Sequence, residues 1–333
     1  MTDYPALNLK TPAEHPFAQF VRILGKGKRG ARDLTREEAS EAMGMVLDDK
    51  VEDTQLGAFL MLLRHKEESA EEMAGFTEAL RARLNPPALA VDLDWPTYAG
   101  KKRHLPWYLL AAKCLAQNGV RIFMHGAGAH TAGRLYSEQL LNDLKIPLCR
   151  NWQQVSAALD NGGLAFMPLV DWAPQLQRMI DLRNTLGLRS PIHSLTRILN
   201  PLRARCGLQS IFHPGYQAVH RDASGLLGDT AIVVKGDGGE IEINPDADSH
   251  LYGTIGGESW DEEWPQLSSQ RHVKPASLEP EHLKAVWRGD VVDSYPQMAL
   301  ISTMALALRG LGQSREQAFE TAQQYWDARD RSI

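Results

Sequence analysis

Val120-Arg121-Ile122-Phe123-Met124-His125-Gly126-Ala127-Gly128 is the stretch on which the fold class of this chain turns. Val120 to Met124 is a short apolar run of the kind that forms a buried strand, and Gly126 to Gly128 breaks it with small residues. A strand entering such a turn lets a ligand approach the backbone, and a following helix N-terminus favours an anion. The same string reads equally as a tight turn with a partly buried histidine, and the residues leave both readings open. Working outward, a helical stretch from Trp107 to Gln117 precedes it, behind a strand-like run at Leu89–Leu93. An amphipathic helix is expected near Ser137 to Leu144, followed by strand-like runs at Leu164–Met167, Gln209–Phe212 and Thr230–Lys235. Strand and helix in alternation predict a sheet with helices packed on it.

The chain is helical on either side of this region. Leu56, Phe59, Leu60 and Leu63 recur at helical spacing within residues 14–84. Thr35-Arg36-Glu37-Glu38 and Ser69-Ala70-Glu71-Glu72 read as capping boxes, as does the helix start at Ser314-Arg315-Glu316-Gln317. Asn85-Pro86-Pro87 ends the first helical segment, because proline disfavours helix in the residue before it. The expected organisation is therefore α/β, with a small helical domain over 1–85 and a larger α/β domain over 86–333.

The 333 residues are 43% hydrophobic, 23% charged and 7% aromatic, which excludes a disordered or collagen-like chain. The longest apolar run, Met298 to Leu308, is about half of the roughly 20 residues that a membrane span needs. Met1 to Lys10 lacks the layout of a signal peptide. Cys114, Cys149 and Cys206 lie far apart, indicating neither a disulfide framework nor a zinc site. A cytoplasmic protein without a resident metal or cofactor is expected.

Net charge is −5, but the charges are segregated. No Asp or Glu occurs over His15–Arg32, Trp95–Ser137 or Leu182–Arg221, and these windows hold five, six and six Lys or Arg. A basic face attracts polyanions even on an acidic protein. The bland alternative is that buried strands and turns lack acids.

Gly25-Lys26-Gly27-Lys28-Arg29-Gly30 has glycine spacing like that of a dinucleotide fingerprint, but follows a helical stretch where the fingerprint needs a strand. It reads as an interhelical loop, either plain or contacting phosphates. Tyr98-Ala99-Gly100-Lys101-Lys102-Arg103-His104, with Trp107 and Tyr108 close by, interleaves cations with aromatics. That mixture suits phosphates and stacked bases, unless it is simply a solvated basic turn. Arg183, Arg189, His193, Arg197, Arg203 and Arg205 add guanidinium forks, not all on one helical face. Glu258 to Trp264 reads as a solvated acidic loop anchored by two tryptophans. Neither G-x-S-x-G nor H-E-x-x-H occurs, which removes two common hydrolase types.

The order of these segments resembles the anthranilate phosphoribosyltransferase family and the nucleoside phosphorylases of the same fold, over nearly the whole chain. The resemblance rests on the helical N-terminus, Val120–Gly126, Phe166-Met167-Pro168-Leu169, Leu186-Gly187-Leu188-Arg189, Leu199-Asn200-Pro201, and Ile211-Phe212-His213-Pro214 leading to Val233-Val234-Lys235-Gly236. It implies a nucleoside phosphorylase/phosphoribosyltransferase fold, a helical return near 172–200 onto the small domain, and a homodimer formed through that domain. The family's catalytic motifs are degenerate. Tyr98-Ala99-Gly100-Lys101-Lys102 stands where the family has diphosphate-cradling G-T-G-G-D, and Pro106-Trp107-Tyr108-Leu109 where it has N-x-S-T. Met124–Gly128 keeps only His125 and Gly126 of K-H-G-N-R, and Ile241-Glu242 keeps one carboxylate of the magnesium-binding D-E pair, with Glu240 adjacent. Losing these together removes the preorganised electrostatics that such a transfer needs.

Cations in place of a phosphate cradle resemble the nucleic-acid-binding, YbiB-type branch of the family. That resemblance implies DNA or RNA as partner, bound through the phosphate backbone without marked sequence preference. The expected contacts are Lys26, Lys28, Arg29, Arg32, Lys101, Lys102, Arg103, Arg197, Arg203 and Arg205, with Tyr98 and Trp107 as stacking candidates. His125, Gly126 and Glu242 are vestigial catalytic candidates. The alternative is a glycosyl- or phosphoribosyltransferase with an altered acceptor, which would bring magnesium with it. A dimeric scaffold for a protein partner is a third reading.

Overall fold

The computed structural model describes residues 13–128, 131–213, 215–269 and 271–333. Met1 to Lys10, and Pro214 of the Ile211–Pro214 motif, lie outside the described residues. Helices α1 (Ala18–Gly25), α2 (Arg36–Leu47), α3 (Asp53–Lys66) and α4 (Ala70–Leu84) form the first layer. Both capping boxes close as written: Thr35 Oγ1 accepts from the Glu38 amide at 3.2 Å while Glu38 accepts from the Thr35 amide at 2.9 Å. In the second box, the buried Glu72 also accepts from the Leu34 amide at 2.9 Å and from Lys66 at 2.8 Å, tying the entry of α2 to α4. Asn85 ends α4 in the left-handed conformation that asparagine tolerates.

The remaining elements build a mixed seven-stranded sheet, ordered β3-β2-β1-β4-β5-β6-β7. Its parallel part is β1 (Leu93–Thr97), β2 (Ile122–Gly126), β3 (Leu164–Pro168), β4 (Cys206–Ser210) and β5 (Ala231–Val234); β6 (Ser249–Ile255) and β7 (Glu258–Trp264) extend it antiparallel. Strand alternation divides two cores. Leu93, Trp95, Ile122, Met124, Leu164 and Phe166 pack with α5 (Tyr108–Gln117), α12 (Pro280–Arg288), α13 (Ser294–Gly310) and α14 (Arg315–Ala328). Phe123, Ala165 and Met167 join the core that runs through α1–α4 and α6 (Trp152–Gly162). Each large apolar side chain so buried contributes about 1.5–3 kcal/mol before entropy is counted.

Between β3 and β4 the chain runs through α7 (Leu169–Trp172), α8 (Pro174–Asp181), α9 (Arg183–Leu186) and α10 (Ile192–Leu195). Gln175 on α8 donates to the Leu47 carbonyl at 2.7 Å, and Arg178 meets Asp53 at 2.9 Å. Arg81 of α4 is buried, donates to the Leu199 carbonyl at 2.7 Å and pairs with Asp229, just after α11 (Tyr216–Leu226).

Four expectations are corrected. The first strand is Leu93–Thr97, displaced from Leu89–Leu93, and it contains Pro96. Only Leu93 and Asp94 pair with β4, so the missing proline N–H interrupts nothing on that side. Ser137 to Leu144 is a single 3-10 turn (Ser137–Gln139) followed by turns, and no helix begins within the described residues of 126–136. The acidic Glu258–Trp264 is strand β7, with Trp260, Glu262 and Trp264 turned inward and the residues between them exposed. The strand-like run at Gln209–Phe212 begins earlier, at Cys206, and ends at Ser210.

Candidate functional site

Strand order reverses between β1 and β4, and the crevice beyond the carboxyl ends of the strands at such a reversal is where open α/β sheets take ligands. Tyr98 to Arg103 leave β1 there, Ile211 to His213 leave β4, and Lys235 to Glu242 leave β5. Glu240 occupies the first of these loops: one oxygen accepts from the successive amides of Ala99 at 2.7 Å and Gly100 at 2.5 Å. Gly100 has φ +68°, a left-handed conformation open to glycine that turns consecutive N–H groups into one anion-binding concavity. Burial pushes the Glu240 carboxyl up, opposed by Arg197 and by the two amides.

Lys101 points inward from the same loop. Its Nζ lies 2.7 Å from Glu242 Oε1 and also pairs with Asp237. Glu242 Oε2 accepts from the Tyr108 amide at 2.9 Å, at the first residue of α5. Burial alone would drive the Lys101 ammonium down, but Glu242 and Asp237 hold it above its ordinary value. Burial raises Glu242 to about 7 against the pull of Lys101. Arg197 donates to the carbonyls of Gly239 at 2.9 Å and His193 at 3.2 Å. Arg134 donates to Ala99 at 3.1 Å, Gly100 at 2.8 Å and Gly238 at 3.2 Å. These donors hold the crevice loops in place, and their partners are protein acceptors.

Four sequence-based assignments are corrected by burial. Lys101 is 0% exposed and committed to two carboxylates, and Arg197 is buried and committed to backbone carbonyls, so neither presents its charge to a phosphate. Tyr98 is buried with its hydroxyl 2.7 Å from His125 Nδ1, and Trp107 is buried in the β1–α5 core, so neither offers a stacking face. His125 is itself fully buried on β2, with Asp94 3.2 Å from Nε2 and the rings of Phe123 and Trp172 against it. Gly126 lies where a methyl group would run into the Thr97 carbonyl oxygen. Glu242 is the partner of Lys101.

The other eight cations are exposed. Among the described residues Lys26, Lys28, Arg29, Lys102 and Arg103 form no ion pair. Arg32 pairs with Glu38 at 2.6 Å, Arg203 with Asp229 at 3.4 Å and Arg205 with Asp92 at 3.0 Å. Lys26 to Arg29 form the turn between α1 and α2, and Gly27 has φ +81°. Sequence reading places Phe212 in a strand-like run and in the Ile211–Pro214 motif but gives it no binding role, yet it is 56% exposed just beyond β4. The Lys235 ammonium lies 5.4 Å from its ring centre and the His213 ring is set edge-on at 6.0 Å. A lone phenylalanine beyond a strand carries no pattern that separates it from core, which is why composition did not reveal it.

Among the described residues no group of three or more His, Cys, Asp or Glu is arranged to hold a metal ion. Magnesium does not fit the crevice as folded, because Asp237 and Glu242 are taken by Lys101 and the Tyr108 amide, and one oxygen of Glu240 by the Ala99 and Gly100 amides. No helix among the described residues is long and apolar enough to cross a membrane. Two open hollows, of about 720 and 660 Å³, lie on the α1–α4 side and are lined by charged side chains, the first by the paired Arg83 and Asp48 among others.

The model of the glycosyl transferase family, helical bundle domain, matches residues 20–84. The chain is 29% identical over 235 residues to the uncharacterized protein YbiB of Escherichia coli (strain K12), spanning 69% of this chain and 73% of that one. It is 30% identical over 223 residues to the anthranilate phosphoribosyltransferase of Desulforudis audaxviator (strain MP104C), spanning 65% and 63%. Its fold matches the crystal structure of anthranilate phosphoribosyltransferase from Thermus thermophilus with a TM-score of 0.75 at 21% identity, over 94% of each chain.

Proposed function

The chain belongs to the anthranilate phosphoribosyltransferase-like family, YbiB-like proteins included, and from that premise we propose that it is a nucleic-acid-binding protein on a phosphoribosyltransferase-like scaffold. The observation that carries this reading is the set of five exposed cations, Lys26, Lys28, Arg29, Lys102 and Arg103, none in an ion pair among the described residues, on a chain of net charge −5. Unpaired surface cations neutralise phosphates at little desolvation cost and release counterions in doing so. The three exposed but paired arginines, Arg32, Arg203 and Arg205, exchange a weak surface ion pair for a phosphate at an expense of about 0–1 kcal/mol each. Phe212 beside Lys235 takes the base-stacking role that Tyr98 and Trp107 cannot fill. DNA or RNA is the partner class, bound by backbone charge without sequence readout, and the protein acts as a cytoplasmic homodimer.

Fluorescence anisotropy of a labelled single strand of about 30 nucleotides across a salt series tests this. Five phosphate contacts give a log–log slope of about −3.5. Absence of binding at low salt overturns the proposal. The transferase reading is favoured by the relatives named as anthranilate phosphoribosyltransferases. It requires magnesium-dependent thermal stabilisation by phosphoribosyl diphosphate, and the internal occupation of the crevice by Glu240 weighs against that outcome.

A further inference from the structure

We propose that Glu240 is a tethered occupant of an anion-binding cradle, and that its carboxylate alone keeps this cradle closed to free phosphate or diphosphate. Two successive amides, Ala99 and Gly100, converge on a single carboxylate oxygen at 2.7 and 2.5 Å. Consecutive N–H groups aimed at one point, with a left-handed glycine between chain directions, are the backbone geometry that binds phosphates. The cradle stands at the strand-order reversal, where this class of sheet takes its ligands.

The occupant fits incompletely. The second oxygen of Glu240 is buried without a hydrogen-bond partner among the described residues. A buried acceptor left unpaired costs free energy, and a folded chain keeps it only where the rest of the group is strongly held. Glu240 is held by the two amides and by the field of Arg197, whose guanidinium is buried beside it. Deleting the carboxylate leaves two amides facing the vacated space and removes a charge that opposes that of Arg197, whose own bonds to the Gly239 and His193 carbonyls remain. An oxyanion with several acceptor atoms satisfies that set better than water does. The chain thus carries an internal stand-in for a phosphate, which makes the crevice refractory to phosphorylated metabolites. This inference does not rest on nucleic-acid binding, since every residue it uses is buried.

The test is calorimetric titration and thermal melting of full-length wild type and Glu240→Ala with inorganic phosphate and with inorganic pyrophosphate. Both are run in salt sufficient to screen the exposed cations. Wild type is expected to show no saturable binding. Glu240→Ala is expected to melt lower than wild type, to bind one anion per chain at least tenfold more tightly than wild type, and to regain part of its lost melting temperature. Preference for pyrophosphate over phosphate defines the cradle as diphosphate-sized, and the reverse defines it as a single-phosphate site. A folded Glu240→Ala that ignores both anions, or a wild type that binds them equally well, overturns the proposal. Should Glu240→Ala not fold, Glu240→Ser decides alone. Its hydroxyl is too short to reach the two amides, so the cradle is vacated, anion-dependent stabilisation supports the proposal and silence rejects it.

Discussion

Lys101 Nζ lies 2.7 Å from Glu242 Oε1, and both side chains are completely buried. A buried charge is tolerated only with its partner in place, and removing one member leaves the other uncompensated. Lys101→Met is therefore expected to lower stability by about 3–5 kcal/mol in urea denaturation. Combining it with Glu242→Gln should restore part of that loss, because the two substitutions act on one interaction. Additive losses would mean that the pair is not the unit described.

Gly126 closes β2 against the end of β1, with the Thr97 carbonyl oxygen where a Cβ would have to go. Backbone cannot withdraw as a flexible side chain can. Gly126→Ala is expected to destabilise by about 1–3 kcal/mol, as overpacking does. Thermal melting at neutral pH measures it, and an unchanged melting temperature would contradict the close approach.

Burial raises the Glu68 carboxyl to about 7. The folded state therefore holds this proton more tightly than the unfolded state does. The stability that results is complete below the ordinary glutamate range and lost as pH rises through about 7. Glu68→Gln should match wild type near pH 4.5 and exceed it by about 1–3 kcal/mol at pH 8. Parallel stability–pH curves for the two proteins would reject this.

Lys102 and Arg103 are the exposed members of the segment that leaves β1, and Lys101 is not. Lys102→Ala with Arg103→Ala should make the salt slope of single-strand binding shallower by about 1.4. Charge reversal at Lys26, Lys28 and Arg29 should weaken affinity further, and nearly equally across sequences. Anisotropy titrations read both effects, and a slope unmoved by either set would remove those residues from the interface.

Phe212→Ala is expected to cost about 1–3 kcal/mol in binding an ordinary single strand and nothing in binding an abasic one. Comparing the two ligands separates stacking from charge. Equal losses on both would assign Phe212 a structural part only.

What the sequence revealed follows the range of the forces involved. Thr35 with Glu38 and Ser69 with Glu72 are three residues apart and form the expected caps. The alternation of Ile122, Phe123 and Met124 assigned a strand before any partner was known. Lys101 escaped the same reading because its carboxylates stand 136 and 141 residues downstream, and a local window of cations looks solvated until a distant loop folds over it. The acids of β7 misled for a related reason. Glu262 faces inward, where it accepts from Arg309 at 2.9 Å, a partner supplied by α13. Lys26 to Gly30, by contrast, lie in the interhelical loop that their helical flanks predict, just after Gly25 ends α1.

An edge strand is a template, since its unpaired amides and carbonyls will accept any extended chain that arrives in register. Strand β7 is such an edge, paired only to β6 among the described residues, and it carries Glu258, Asp261 and Glu263 exposed along its length. A second copy approaching edge to edge would set this acidic row against itself, Glu258 having no ion partner among the described residues while Asp261 meets Arg221 and Glu263 meets the His250 ring. The molecule is thereby fenced against growing into a continuous ribbon through this side.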